Sequence, residues 1–101
     1  MKNIHDLPVL LERFFTQRLM AQRRASAHTI ASYRDTFRLL LRFVQRQLRK
    51  APSLLSLTDL QAPLIGAFLD DLESARSITA RSRNLRLTAI RSFFQIGRAH
   101  V

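Results

Sequence analysis

The chain has 101 residues, 47% of them hydrophobic, with two glycines, three prolines and no cysteine. That is the length of one domain with enough apolar material for a core, which argues against wholesale disorder, and the absence of cysteine excludes disulfides and thiolate zinc sites. Seventeen Lys+Arg against seven Asp+Glu give a net charge of +10, and fifteen of those cations are arginine, whose planar fork suits phosphate oxygens and guanine edges, so a polyanionic partner follows, either nucleic acid or an anionic membrane surface.

Along the chain, the spacing first predicts a packing helix over Leu7–Gln22, with Leu7, Leu10, Leu11, Phe14, Phe15 and Leu19 on one broad apolar face. Asp6 is its expected N-cap, Pro8 lies in the first turn where a missing N–H costs little, and Arg23 and Arg24 complement the dipole at its end. Asp6, Pro8 and Glu12 interrupt the pattern a signal peptide would need, and no apolar run approaches the ~20 residues of a membrane span. A cytoplasmic protein is the expectation. His5, His28 and His100 are scattered without metal-ligand spacing, and no cofactor is implied.

Ser26 caps a second predicted helix over Ala27–Lys50. Its apolar stripe is Ile30, Tyr33, Phe37, Leu40, Leu41, Val44 and Leu48; Tyr33 reads as a core residue with its hydroxyl at the edge. A second stripe holds Arg34, Arg38, Arg42, Gln45 and Arg49, and six cations against Asp35 give the segment +5. Thr29 and Ser32, with His28, stand in the first turns, where short polar residues can meet a phosphate together with backbone N–H groups. Ordinary capping explains them equally well.

Pro52 is expected to stop this helix, Ala51–Leu57 to form a packed apolar connector, and Thr58–Gln61 to turn. Pro63 opens a third helix over Pro63–Glu73 with Leu64, Ile65, Phe68, Leu69 and Leu72 as its core face; Gly66 would allow close packing against a neighbour. Asp59, Asp70, Asp71 and Glu73 are four of the seven acids, and no Lys or Arg lies between Leu54 and Ala75, so charge is sorted: the second and fourth helices attract a polyanion and the third repels one. Asp70 and Asp71 project about 100° apart on a helix and read as solvated rather than as a shared catalytic or metal site.

Ser74–Ile78 reads as a linker and Thr79 as the cap of a fourth helix, Thr79–Gln95. Leu87, Ile90, Phe93 and Phe94 share its inner face, while Arg81, Ser82, Arg83, Asn84, Arg86 and Arg91 occupy the remaining surface, as on a helix lying along a nucleic acid. The sum is an all-α, compact four-helix bundle with short loops. No Gly-rich phosphate loop, cysteine nucleophile or helical histidine pair is present, so the chain alone is not expected to be an enzyme.

Two stretches, SAHTIASYRDTFRLLLRFV and TARSRNLRLTAIRSFF, resemble the N-terminal core-binding, SAM-like domain of the tyrosine recombinases, the phage-integrase and Xer-like group. Ser26, Thr29, Tyr33 and Arg34 fill the pattern that opens the family's second helix. LTDLQAPLIGAFLDDLE is similar to its third, and Thr79, Ala80, Ser82, Asn84, Arg86, Leu87, Ala89, Ile90, Arg91, Ser92, Phe93 and Phe94 fill its fourth. The resemblance implies a non-catalytic half of a clamp whose second and fourth helices meet the major groove of double-stranded DNA. It implies as partners a C-terminal catalytic domain and sister protomers assembled on DNA. It assigns DNA contact to Thr29, Ser32 and Arg34 and to Arg81, Ser82, Asn84, Leu85 and Arg86, with Arg38 and Arg91 as phosphate contacts or intramolecular partners.

On this reading residues 1–95 are the core-binding domain. The tail Ile96–Val101 departs from the pattern, breaks the helical periodicity and matches the in-frame translation of a common sequencing adapter, so it is expected to be non-native, with no function for Arg98 and His100; a genomic read continuing those codons into natural sequence would refute this. Two other functions share the basic helices: a helix-turn-helix-type regulator, which normally uses shorter helices around a Gly-containing turn, and a basic helical module that docks to a membrane or an acidic protein.

Overall fold

The computed structural model describes residues 7–19 and 26–99. It is the expected compact all-α bundle of four helices: α1 (Leu7–Arg13), α2 (Ala27–Leu48), α3 (Ala62–Arg76) and α4 (Ala80–Ala99). The slab measures 37 × 34 × 18 Å, two helix layers thick.

The first helix does not stay α-helical. After Arg13 it widens into a π-helical turn over Phe14–Leu19. The wider turn suits a place where neighbouring side chains must both pack inward. Phe14 is fully buried and meets Tyr33, Phe37 and Phe93 at centroid distances of 6.3, 5.8 and 5.6 Å. Phe15 packs edge-on against Phe37 at 6.0 Å. These aromatic pairs join α1, α2 and α4, each adding about 0.5–1.5 kcal/mol beyond the area it buries. Tyr33 lies against this cluster, as its stripe position predicts. The expected cap Asp6, the helix end at Gln22, and Arg23 and Arg24 lie outside the described residues.

Ser26 caps α2 as expected: its Oγ accepts the Thr29 N–H at 3.1 Å. The buried arc of α2 is broader than its periodic stripe. Leu39 and Phe43 are buried, although the stripe omits them, and Leu48, which the stripe includes, is 37% exposed. The reason is that α2 is flanked twice. Phe93 of α4 meets Phe37 at 5.3 Å, and Phe68 of α3 meets Phe43 at 5.7 Å. A helix wedged between two neighbours buries more than one stripe.

Pro52 is not what stops α2. The helix ends at Leu48, where Arg49 turns left-handed (φ 53°), so Lys50 stands outside it. The connector is two 3₁₀ turns, Pro52–Leu54 and Leu57–Asp59, and only part of it is packed. Leu55 and Leu60 are buried, while Leu54 is exposed. The Leu55 carbonyl accepts the Leu7 N–H at 3.0 Å, which ties the start of α1 to the connector. The second turn is closed by Asp59, which accepts from the Ser56 N–H at 3.0 Å and from Lys50 at 3.1 Å. Those bonds, the backbone one first, hold the Asp59 carboxyl below its ordinary value of 3.8.

α3 carries Pro63 in its first two positions and buries Phe68, Leu69 and Leu72; Leu64 and Ile65 are half-buried against the core. It runs past the expected end at Glu73 to Arg76, where left-handed Ser77 (φ 51°) terminates it, leaving only Ser77–Thr79 as linker. Gly66 does not mediate close packing: a Cβ there would meet nothing within 4 Å. Thr79 caps α4 through its Oγ1, which accepts the Ser82 N–H at 3.1 Å. Ala89, Ile90 and Phe93 are buried among its described side chains. The helix does not break after Gln95 but continues to Ala99. One glycine inside a helix costs about 1 kcal/mol, too little to end a ladder that gains a bond per residue.

Candidate nucleic-acid interface

The outward arc of α2 is a row of guanidiniums. Arg34, Arg38, Arg42, Arg46 and Arg49 are all exposed, and none has an acidic partner within salt-bridge distance among the described residues. Arg34 is held in place by an aromatic ring, its guanidinium lying 5.7 Å from the Phe15 centroid. At the N-terminus of α2, Ser32 is exposed and Thr29 half-buried. The Thr29 and Ser26 hydroxyls share a 3.1 Å hydrogen bond, so the capping role of this turn is present.

On α4, Arg81, Asn84, Leu85 and Arg91 are exposed, with Ser82 half-buried. Leu85 is 56% exposed. The other two arginines of this stretch turn inward. Arg83 bridges Asp70 and Glu73 of α3, both at 3.0 Å, and these carboxylates, Asp70 first, push its pKa up. Arg86 reaches across to α2. Its Nη1 and Nη2 each lie 3.3 Å from Asp35 Oδ2, and Nη1 donates to the buried Thr36 hydroxyl at 3.2 Å. That hydroxyl in turn donates to the Ser32 carbonyl at 3.0 Å. The Arg86 side chain is only 18% exposed, and its Nε is buried without an acceptor among the described residues.

The structure thus separates the arginines that sequence reasoning grouped. Arg34, Arg38, Arg81 and Arg91 are exposed and have no acidic partner among the described residues, whereas Arg83 and Arg86 fasten α4 to α3 and α2. Asp35, Thr36, Asp70 and Glu73 are the residues that make this division, and no periodicity marked Thr36. Asp70 and Asp71 have parted, one paired to Arg83 and the other half-buried in a groove against α2. Among the described residues no cluster of His, Asp or Glu could hold a metal ion, and no described helix is long and apolar enough to cross a membrane.

The family described as "Phage integrase, N-terminal SAM-like domain" matches residues 11–99. The chain belongs to that family. This SAM-like domain is also similar to two curated proteins of Sinorhizobium fredii (strain NBRC 101917 / NGR234). It is 66% identical over 90 residues to "Putative integrase/recombinase y4rC", covering 89% of this chain and 27% of that protein. It is 52% identical over 88 residues to "Putative integrase/recombinase y4rD", covering 87% of this chain and 31% of that protein. The SAM-like domain therefore spans about a third or less of the curated relatives it matches. No solved structure matches it.

Proposed function

We propose that this domain grips duplex DNA through α2 and α4 as the non-catalytic core-binding part of a site-specific tyrosine recombinase, acting in DNA integration and recombination. Its further partners are then the recombinase's catalytic domain and sister protomers on the DNA. The observation that carries the reading is the exposed arginine row of α2, together with exposed Arg81 and Arg91 of α4, none of them with an acidic partner among the described residues. Guanidiniums without internal partners are available to phosphates and guanine edges. Thr29, Ser32, Asn84 and Leu85 border these cations as candidate contacts, and Ser82 contributes at the α4 N-terminus. Arg86 enters as a positioning residue that sets α4 against α2. The 22-residue length of α2 disfavours the helix-turn-helix alternative.

Duplex binding measured across salt concentration tests this. The full chain should give a steep slope, and Arg34→Ala/Arg38→Ala should flatten it by about 0.9 for each phosphate contact removed. Arg81→Ala should act similarly, or relax sequence preference if it forks onto a guanine. A slope that none of these variants changes would sink the reading in favour of a protein-docking module.

A further inference from the structure

Between α2 and α3 lies a groove of about 530 Å³ that shares Arg42 and Arg46 with the arginine row of α2 and has no α4 residue in its lining. Leu39, Phe43, Phe68 and Leu72 form its floor; Arg42, Arg46 and Arg76, with Gln45, line its sides, and Asp71 is the one acid there. The floor residues are each 9% exposed or less, so an apolar partner laid on them would remove little further surface from water. What the groove offers instead is charge. The three arginines are exposed and have no acidic partner within 4.0 Å among the described residues, not even Asp71. Three like charges brought to one concavity repel one another, and Asp71 offsets only one of them. An oxyanion with several acceptor oxygens relieves that repulsion, and guanidinium forks match phosphate oxygens in pairs.

We infer that this α2–α3 groove is a phosphate subsite formed by Arg42, Arg46 and Arg76. In the DNA complex it takes one backbone phosphate beyond the α2–α4 contact, an assignment of source that rests on the proposed DNA-binding function; the phosphate chemistry does not. α3, whose acids Asp70, Asp71 and Glu73 cluster in its second half, thereby contributes a cation to the same polyanion from its last turn.

The test uses the full chain, isotopically labelled, with its arginine Nε–H signals followed by NMR. Inorganic phosphate should move the Arg42, Arg46 and Arg76 signals together and saturably, whereas sodium chloride at equal ionic strength should not. Arg46→Ala/Arg76→Ala should abolish the shift at Arg42 and lower the duplex salt slope by about 0.9. Asp71→Asn should tighten phosphate binding. The subsite is overturned if phosphate produces no saturable shift, if Arg34, Arg38 and Arg81 shift as much as the groove arginines, or if polyglutamate moves the groove signals as well as phosphate does. An unchanged duplex slope in Arg46→Ala/Arg76→Ala, with the slope of Arg34→Ala/Arg38→Ala reduced, removes the groove from the DNA footprint and leaves the DNA reading standing. Saturable phosphate shifts without any duplex binding support the subsite as one for a free phosphate anion and remove the DNA reading.

Discussion

Arg86 shows how much one side chain decides. The family resemblance implies a DNA contact for it, and its guanidinium joins Asp35 and the buried Thr36, residues of another helix. Arg86→Ala should therefore cost about 1–2 kcal/mol of stability, the range for hydrogen bonds to charged groups after allowance for a partly exposed ion pair. Urea unfolding reads it directly. Arg86→Lys should recover only part of the loss, because an ammonium cannot reach Asp35 and Thr36 with one planar fork. By contrast Arg81→Ala should leave stability within about 0.5 kcal/mol of the parent while weakening DNA binding. The two variants separate fold from function, and a joint Arg81/Arg86 substitution would confuse them. Gly66 gives a change of the opposite sign. With open space at its Cβ position and a helical backbone, Gly66→Ala should stabilise by about 0.5–1 kcal/mol, seen as a rise of a few degrees in Tm.

At the scale of elements, the joint between α2 and α3 is sensitive to pH. Asp59 holds the Ser56 N–H and the Lys50 ammonium, and its folded pKa lies below the ordinary value of 3.8. A carboxyl whose pKa is depressed on folding binds its proton more readily in the unfolded chain. Its contribution is thus complete above the unfolded value and declines as pH falls through the lower, folded one. Asp59→Asn should lower stability near neutral pH by about 1 kcal/mol, the worth of one hydrogen bond with an exposed ion pair. The difference between variant and parent should shrink below pH 3.8 and toward the folded pKa; thermal melts from pH 7 down to about 2 would reveal it. A gap that stays constant over that range would show that the turn, not the charge, carries the effect. The helix boundaries belong to this scale too. α2 and α3 end on left-handed Arg49 and Ser77, where sequence shows no glycine to announce a stop.

For the molecule as a whole, charge sorting has a structural counterpart. The acids of α3 that read as repelling a polyanion are partly neutralised by Arg83, and the one acid of α2 by Arg86. What remains outward on α2 is an almost uninterrupted positive row. Association with DNA should therefore be fast at low ionic strength and slow steeply with added salt, whereas dissociation should respond more to the residues that contact bases. Stopped-flow rates for the parent and for Arg38→Ala at two salt concentrations would check this. An association rate indifferent to both salt and Arg38 would mean that the row does not steer the encounter.

Much of this protein could be read without coordinates. The four amphipathic helices, the Ser26 and Thr79 caps, the aromatic core positions Phe14, Phe37 and Phe93, and the segregation of charge all follow from local rules: side-chain periodicity and the hydrogen-bonding needs of helix ends. Such rules record which residues leave water and which remain in it. They do not record which neighbour a residue meets. That α2 is flanked on two sides, burying Leu39 and Phe43, depends on how the helices cross. So does the fate of the arginines. Arg86 and Asp35 stand 51 residues apart in the chain and 3.3 Å apart in space. Only packing brings such charges together, and only packing leaves Arg34, Arg38 and Arg81 exposed without an acidic partner among the described residues, because an ion pair needs a distance of a few ångströms that no sequence spacing prescribes across separate helices.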